Sequence, residues 1–205
     1  MADVFRTRRG GFRCRKGVKK SRQDKQLSRD EFVALLAAAR SDPAVHGKHA
    51  YLSFFLAGNF GLRSGEVTDL RWEDFKSLRF GYFRVRTLKK KAEQDDRVYV
   101  GRSWTQDVER SLSTVRRSKG TDRILPFSTR TLRFFFAYYA DQVGVSPNVS
   151  FHALRHSAAQ RVYAATKDTR IVNCFLRHKP ETTHIYLEPS AEEMIEAIEK
   201  TGVIS

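Results

Sequence analysis

From residue 27 onward the apolar positions recur with spacings that predict a mainly helical fold. Phe32, Leu35, Leu36 and Ala39 form a stripe at helical spacing. Ser28 stands three residues before Glu31 as a capping box, Leu27 and Phe32 can form a hydrophobic staple, and Pro43 lies beyond the helix end. A second helix is predicted from about His49 to Asn59. Tyr51, Leu52, Phe54, Phe55 and Leu56 leave it no polar face, so it belongs in the interior. Gly61 ends it, and a short helix over Ser64 to Leu70 starts directly after Arg63. The pattern then alternates. Phe80 to Thr87, with Phe83 and Val85, and Arg97 to Gly101, with Val98 and Val100, read as two strands joined by a Lys-rich hairpin over residues 88–96. Helical patterning returns near 104–117, 129–142, 151–165, 168–177 and 180–187. Ser190 with Glu193 caps a last helix carrying Met194, Ile195 and Ile198. The predicted class is mainly α with one small antiparallel β-sheet (α+β), with no internal repeat.

Charge changes this picture most at the N-terminal end. Residues 1–26 hold ten Lys and Arg against two Asp, a net +8 of the chain's +15, with almost no apolar periodicity. They read as a flexible basic arm that orders on nucleic acid, the alternative being a solubilising tail. Arg6, Arg8, Arg9, Arg13, Arg15, Lys16, Lys19 and Lys20 are its candidate phosphate contacts. So basic a chain of 205 residues has a polyanion as its natural partner, nucleic acid before an anionic membrane. No apolar run approaches a membrane span and no secretory leader opens the chain. Cys14 and Cys174 are far apart and in no metal-ligand spacing, so a reducing cytoplasm, or a host cell if the protein is viral, is the expected location.

Four short stretches carry candidate chemistry. Gly61-Leu62-Arg63-Ser64-Gly65-Glu66 puts an arginine at a tight turn, with Glu66 and Asp69 able to hold it; the plain alternative is an ordinary surface arginine. In His152-Ala153-Leu154-Arg155-His156, positions 152 and 155 share a helix face and can converge on one phosphate at the helix N-terminus, with Leu154 turned to the core. A solvated surface pair is the alternative. His152 and His156 also sit at half-zinc-site spacing, but the intervening Glu is missing and no other ligand is in register, so no metal is expected. His178 and Tyr186 follow in Leu176-Arg177-His178-Lys179-Pro180-Glu181-Thr182-Thr183-His184-Ile185-Tyr186, where the tyrosine is either a nucleophile or a half-buried core ring. Metal-free cleavage of a phosphodiester needs just such groups: a nucleophile, cations on the non-bridging oxygens, and a proton for the leaving oxygen.

Taken together, these ordered boxes resemble the tyrosine recombinase (phage integrase) family. That family's catalytic domain carries an Arg in a Gly-Leu-Arg-x-x-Glu turn, a Lys in a β-hairpin, a His-x-x-Arg-His box, a His or Trp usually in Leu-Gly-His, and a Tyr after a Thr-Thr pair. The resemblance covers about residues 27–190, making 27–190 a catalytic domain, 1–26 the arm, and 191–205 a C-terminal helix and tail. That last segment either docks on a neighbouring protomer, as often happens in the family, or folds back on its own domain.

By this resemblance, Arg63, Arg155 and His178 hold the scissile phosphate, His152 assists proton transfer, and Tyr186 attacks to give a 3′-phosphotyrosyl enzyme. Lys89, favoured over its neighbours Lys90 and Lys91 by its offset from Val85, protonates the leaving 5′ oxygen; the other two are phosphate contacts. Glu66 and His156 support the site, and neither metal nor other cofactor is implied. The implied function is site-specific DNA recombination by integration, excision or inversion, on double-stranded DNA, as a homodimer or homotetramer. A type IB-like DNA-relaxing enzyme and a non-catalytic DNA-binding regulator are the alternatives. Three departures stand out: Arg177 replaces the usual Gly before His178, the interval from His178 to Tyr186 is one residue shorter than the commonest spacing, and only the basic arm stands where a DNA-clamping helical domain is usual.

Overall fold

The computed structural model describes residues 27–86, 95–115, 122–178 and 190–202. The basic arm, the hairpin tip with Lys89, Lys90 and Lys91, the expected helix over 180–187 with Tyr186, and Cys14 all lie outside the described residues.

Helix α1 (Arg29–Ser41) starts as its sequence requires: Ser28 Oγ accepts the Glu31 N–H at 3.2 Å, and Glu31 Oε2 accepts the Ser28 N–H at 2.7 Å. Its stripe of Phe32, Leu35, Leu36 and Ala39 is buried against helix α2 (Val45–Phe60). That helix begins four residues before the sequence reading placed it. Asp42 Oδ1 accepts the Ala44 N–H at 2.9 Å and turns the chain into the helix directly after Pro43. Every residue from His49 to Phe60 is buried, as an all-round apolar helix demands. Helices α5 (Thr129–Gln142) and α6 (His152–Thr166) complete its surroundings, with Phe54 packed edge-on to Phe136 and Tyr139.

Strands β1 (Tyr82–Arg86) and β2 (Asp95–Tyr99) pair antiparallel, Phe83 opposite Val98 and Val85 opposite Asp96. Phe83, Val85 and Val98 face the core, as the alternation predicts. Phe80, expected to open the first strand, instead ends a 3₁₀ turn over Leu78–Phe80 and is 64 % exposed. Gly81, at φ +82°, breaks the register there and starts the strand two residues later than expected. The second strand likewise runs from Asp95 rather than Arg97 and stops before Gly101.

Helix α3 (Ser64–Asp69) follows α2, helix α4 (Thr105–Ser113) follows the sheet, and helix α7 (Thr169–Phe175) follows α6. Helix α8 (Ala191–Thr201), capped by Ser190 and Glu193, lays Met194, Ala197 and Ile198 on its own domain, against α6, α7 and β2. Glu199 fastens its far end by accepting the Ser103 N–H at 3.0 Å and the Ser103 hydroxyl. Among the described residues, no helix is long and apolar enough to cross a membrane.

Candidate active site

Three chain turns meet beside the C-terminal end of α2. The first follows from Gly61, which ends α2 at φ +63°. A Cβ at this position would lie 2.7 Å from the Phe175 ring, so only glycine lets the end of α7 approach so closely. Two residues on, Arg63 caps α3 and Glu66 reaches back from that helix's first turn. Glu66 Oε2 accepts the Arg63 backbone N–H at 2.8 Å, and Glu66 Oε1 accepts Arg63 Nη1 at 2.6 Å.

The second turn is the start of α6. His152 and His156 stand on its exposed side, one helical turn apart, with their rings edge to face at 4.5 Å. Leu154 is buried in the core, as expected. Arg155, three residues from His152, goes inward: it is 3 % exposed, not solvated. Its Nη1 donates to the Gly61 carbonyl and its Nη2 to the Leu176 carbonyl, so one guanidinium ties α6 to both other turns. Glu66 Oε2 lies 3.9 Å from Arg155 Nη1 and supplies a counter-charge.

The third turn closes α7. Arg177 N–H donates to the Cys174 carbonyl at 2.9 Å and His178 N–H to the Asn173 carbonyl at 3.0 Å, with Arg177 itself at φ +52°. This is the capping pattern that glycine usually serves. The Arg177 side chain folds back towards Glu66 and donates from Nη2 to Glu66 Oε2 at 2.9 Å. His178 follows it at the exposed rim.

Glu66 is therefore the common anion of three arginines, Arg63, Arg155 and Arg177. Burial alone would push its carboxyl pKa up; Arg177 and the Arg63 hydrogen bonds and charge outweigh that and hold it below its usual value. Burial, then Arg177 and Arg63, push the Arg155 pKa down, and Glu66 partly offsets them; a guanidinium remains a cation at neutral pH regardless. For His178, desolvation and then Arg155, Arg63 and Arg177 favour the neutral imidazole. His152 responds the same way, to desolvation first and then to His156, Arg155, Arg63 and His178. These mutual influences reflect how near Arg63, His152, Arg155 and His178 lie to one another, as one cationic cluster. Among the described residues, no three His, Cys, Asp or Glu side chains gather to hold a metal.

The hairpin base is secured beside this cluster. Arg86, the last residue of β1, is gripped by Asp74 at 2.9 and 3.0 Å and by Glu73 at 2.9 Å. Asp96, at the hairpin end of β2, is near enough to Arg177 to favour its charge. Lys89 and Tyr186 lie outside the described residues, so the geometry covers Arg63, His152, Arg155 and His178 of the predicted set. Sequence reading missed the ion pair between Arg177 and Glu66. Its one visible trace was a large cation where the resembling family has a glycine.

The model of the phage integrase family matches residues 25–193. The tyrosine recombinase XerA of Pyrococcus horikoshii is 28 % identical over 188 residues, covering 88 % of this chain and 62 % of its own length. The tyrosine recombinase XerC of Thermodesulfovibrio yellowstonii is 26 % identical over 196 residues, covering 88 % and 63 %. The chain thus spans less than two thirds of these relatives. A crystal structure of XerA superposes with a TM-score of 0.62 at 24 % identity, over 85 % of this chain and 64 % of that one. The XerH recombinase, bound to a palindromic difH substrate in a post-cleavage complex, superposes at 0.61 with 21 % identity, over 80 % and 49 %. These structures share the mainly helical fold with its small sheet. With 169 consecutive residues under one family model, this chain belongs to the phage integrase family.

Proposed function

We propose that the protein cleaves and rejoins double-stranded DNA as a site-specific recombinase, through a covalent phosphotyrosyl intermediate. Convergence of Arg63, Arg155 and His178, with His152 beside them, in one cluster carries this reading. In it, Arg63 and Arg155 neutralise the non-bridging oxygens of the scissile phosphate, with His178 as a hydrogen-bond donor. The Tyr186 phenolic oxygen bonds to phosphorus while the bond from phosphorus to the 5′ oxygen breaks. The phenolic proton passes to His152, and Lys89 delivers a proton to the leaving oxygen. A 5′ hydroxyl from a second strand reverses the step, so the phosphodiester energy is conserved. Arg177 and Glu66 sit behind these groups, and Arg86 holds the strand that leads to Lys89.

Exchange between strands needs more than one protomer, and a homodimer or homotetramer assembled on DNA is the working form we propose. Support comes from lambda integrase, a protein of the same fold, seen as a dimer bound to a COC′ core site and as a tetramer bound to a Holliday junction. The basic arm adds phosphate contacts through Arg6, Arg8, Arg9, Arg13, Arg15, Lys16, Lys19 and Lys20, as Lys90 and Lys91 do from the hairpin.

The test is incubation with nicked and supercoiled DNA without divalent metal. SDS-stable, protease-sensitive protein–DNA adducts are expected from the wild type and not from Tyr186→Phe. Adducts that persist in Tyr186→Phe overturn the nucleophile assignment. Relaxed circles without recombined products would indicate a relaxing enzyme, and DNA binding without any adduct a regulator.

A further inference from the structure

Arg177 occupies a position that costs an L residue conformational energy. It is at φ +52°, in the left-handed region. Its side chain is 6 % exposed, and its Nε is buried with no hydrogen-bond partner among the described residues. A long cation held this way is expensive, unless what it touches repays the cost. It makes three contacts. Nη1 donates to the Phe175 carbonyl at 3.0 Å, and Nη2 donates to the Gly61 carbonyl at 3.1 Å and to Glu66 Oε2 at 2.9 Å. Gly61 and Glu66 are also the partners of Arg155, and Glu66 is the partner of Arg63.

We propose that Arg177 is a positioning residue: it clamps the His178-bearing turn to the Gly61–Glu66 turn, so that Arg63, Arg155 and His178 are already registered when a phosphate arrives. The clamp acts through Glu66. With one carboxylate oxygen taken by Arg177, the other holds Arg63 Nη1 in place and leaves that guanidinium's outer side open. A glycine here would satisfy the backbone with less strain but leave Glu66 to Arg63 and Arg155 alone. His178 would then hang from a turn fastened by its own backbone, by the Arg155 bond to Leu176 and by the packing of Phe175 and Leu176 against Gly61. Arg177 itself stays behind Arg63 and Arg155, because its Nη donors face carbonyls and Glu66.

This role rests on the strand-transfer reading for its kinetic consequence but not for its geometry, so the test has one arm for each. Full-length Arg177→Gly, Arg177→Lys and Arg177→Met are compared with wild type. The first arm follows the His178 ring by NMR, identified through loss of its signal in His178→Gln, and reads its titration midpoint. Removing a nearby cation and loosening the turn are expected to raise the midpoint in Arg177→Gly and Arg177→Met, with Arg177→Lys restoring part of the shift. The second arm measures DNA affinity and single-turnover adduct formation. Affinity is expected to stay within roughly threefold while the adduct rate falls roughly 10–100-fold, the signature of lost registration rather than lost binding. Lys, which keeps the charge but not the fork, recovers part of the rate. A wild-type rate together with an unmoved His178 midpoint in Arg177→Gly overturns the proposal. If wild type itself forms no adduct, the strand-transfer reading fails and the midpoint alone decides the clamp: a shift upholds it and no shift overturns it. Should Arg177→Gly fold poorly, Arg177→Met and Arg177→Lys carry both arms.

Discussion

Arg63 and Glu66 share an ion pair of 2.6 Å whose two halves see different surroundings: the carboxylate side chain is 3 % exposed and the guanidinium 35 %. An anion buried at the back holds a cation that keeps its outer side to solvent. Such a pair contributes little as an exposed salt bridge, but it fixes where a positive charge faces a ligand. Because Glu66 also balances Arg155 and Arg177, whose side chains are 4 % and 6 % exposed, it neutralises more buried charge than any one contact suggests.

Glu66→Gln should therefore be severe despite its near-identical shape. The amide can still accept the Arg63 N–H, but Arg155 and Arg177 lose the carboxylate they share, which Arg177 holds at 2.9 Å. Leaving buried charge uncompensated costs about 3 kcal/mol or more. Chemical denaturation at neutral pH is expected to show that loss. The pH dependence gives an independent check. The native carboxyl titrates below its ordinary value of 4.5, so its stabilisation is complete above that value and is lost as pH falls through the depressed native pKa. Wild type should lose stability over that acid range more steeply than Glu66→Gln, and parallel curves would refute the hub role.

Arg155→Lys tests the fork rather than the charge. An ammonium cannot donate in fixed directions to the Gly61 and Leu176 carbonyls while remaining available to a phosphate. Adduct formation is expected to slow by roughly 10²-fold, or about 3 kcal/mol of barrier, the usual cost of removing a transition-state donor. Single-turnover cleavage at saturating DNA reads this directly. A wild-type rate would assign Arg155 a purely architectural part.

Much of this could be read along the chain wherever the cause was local. The Ser28–Glu31 box, the stripe of Phe32, Leu35, Leu36 and Ala39, and the Gly61 stop each arise within a few residues, and each is realised. The inward turn of Arg155 is not local. Its burial depends on carbonyls 94 and 21 residues away, and an arginine at i+3 from a histidine carries no trace of that. Arg177 is hidden for the same reason, since Glu66 lies 111 residues away in sequence. Phe80 misled because alternation cannot distinguish a strand from a 3₁₀ turn ended by a left-handed glycine, which places the ring outside.

Gly58 is the position where one methyl group should do most damage to the scaffold behind the pocket. A Cβ there would stand 2.1 and 2.4 Å from Phe32 ring carbons. The ring has little room to retreat: Phe32 is wholly buried, and the Arg161 guanidinium lies over it, 5.4 Å from the centroid. Overpacking of this kind costs about 1–3 kcal/mol. The gain of about 1 kcal/mol from replacing a mid-helix glycine opposes it without cancelling it. A lower urea midpoint with an unchanged slope is the expected result for Gly58→Ala, and a raised midpoint would mean that α1 and α2 separate more easily than their packing implies.

Deleting residues 1–26 removes ten cations and two anions, more than half of the chain's +15. If the arm follows the DNA backbone, each phosphate contact it supplies contributes about 0.9 to the slope of log affinity against log salt. Full-length protein should bind with the steeper slope, and the shortened chain should lose several units of it while its affinity becomes less sensitive to salt. A lost backbone contact lowers affinity alike for matched and unrelated sequences, because phosphates carry no base identity. Titrations on both kinds of DNA at several salt concentrations therefore separate the two meanings of the charge. Equal slopes with and without the arm would make it a solubility element. A slope change confined to one DNA sequence would instead mean that some of these arginines read bases in a groove.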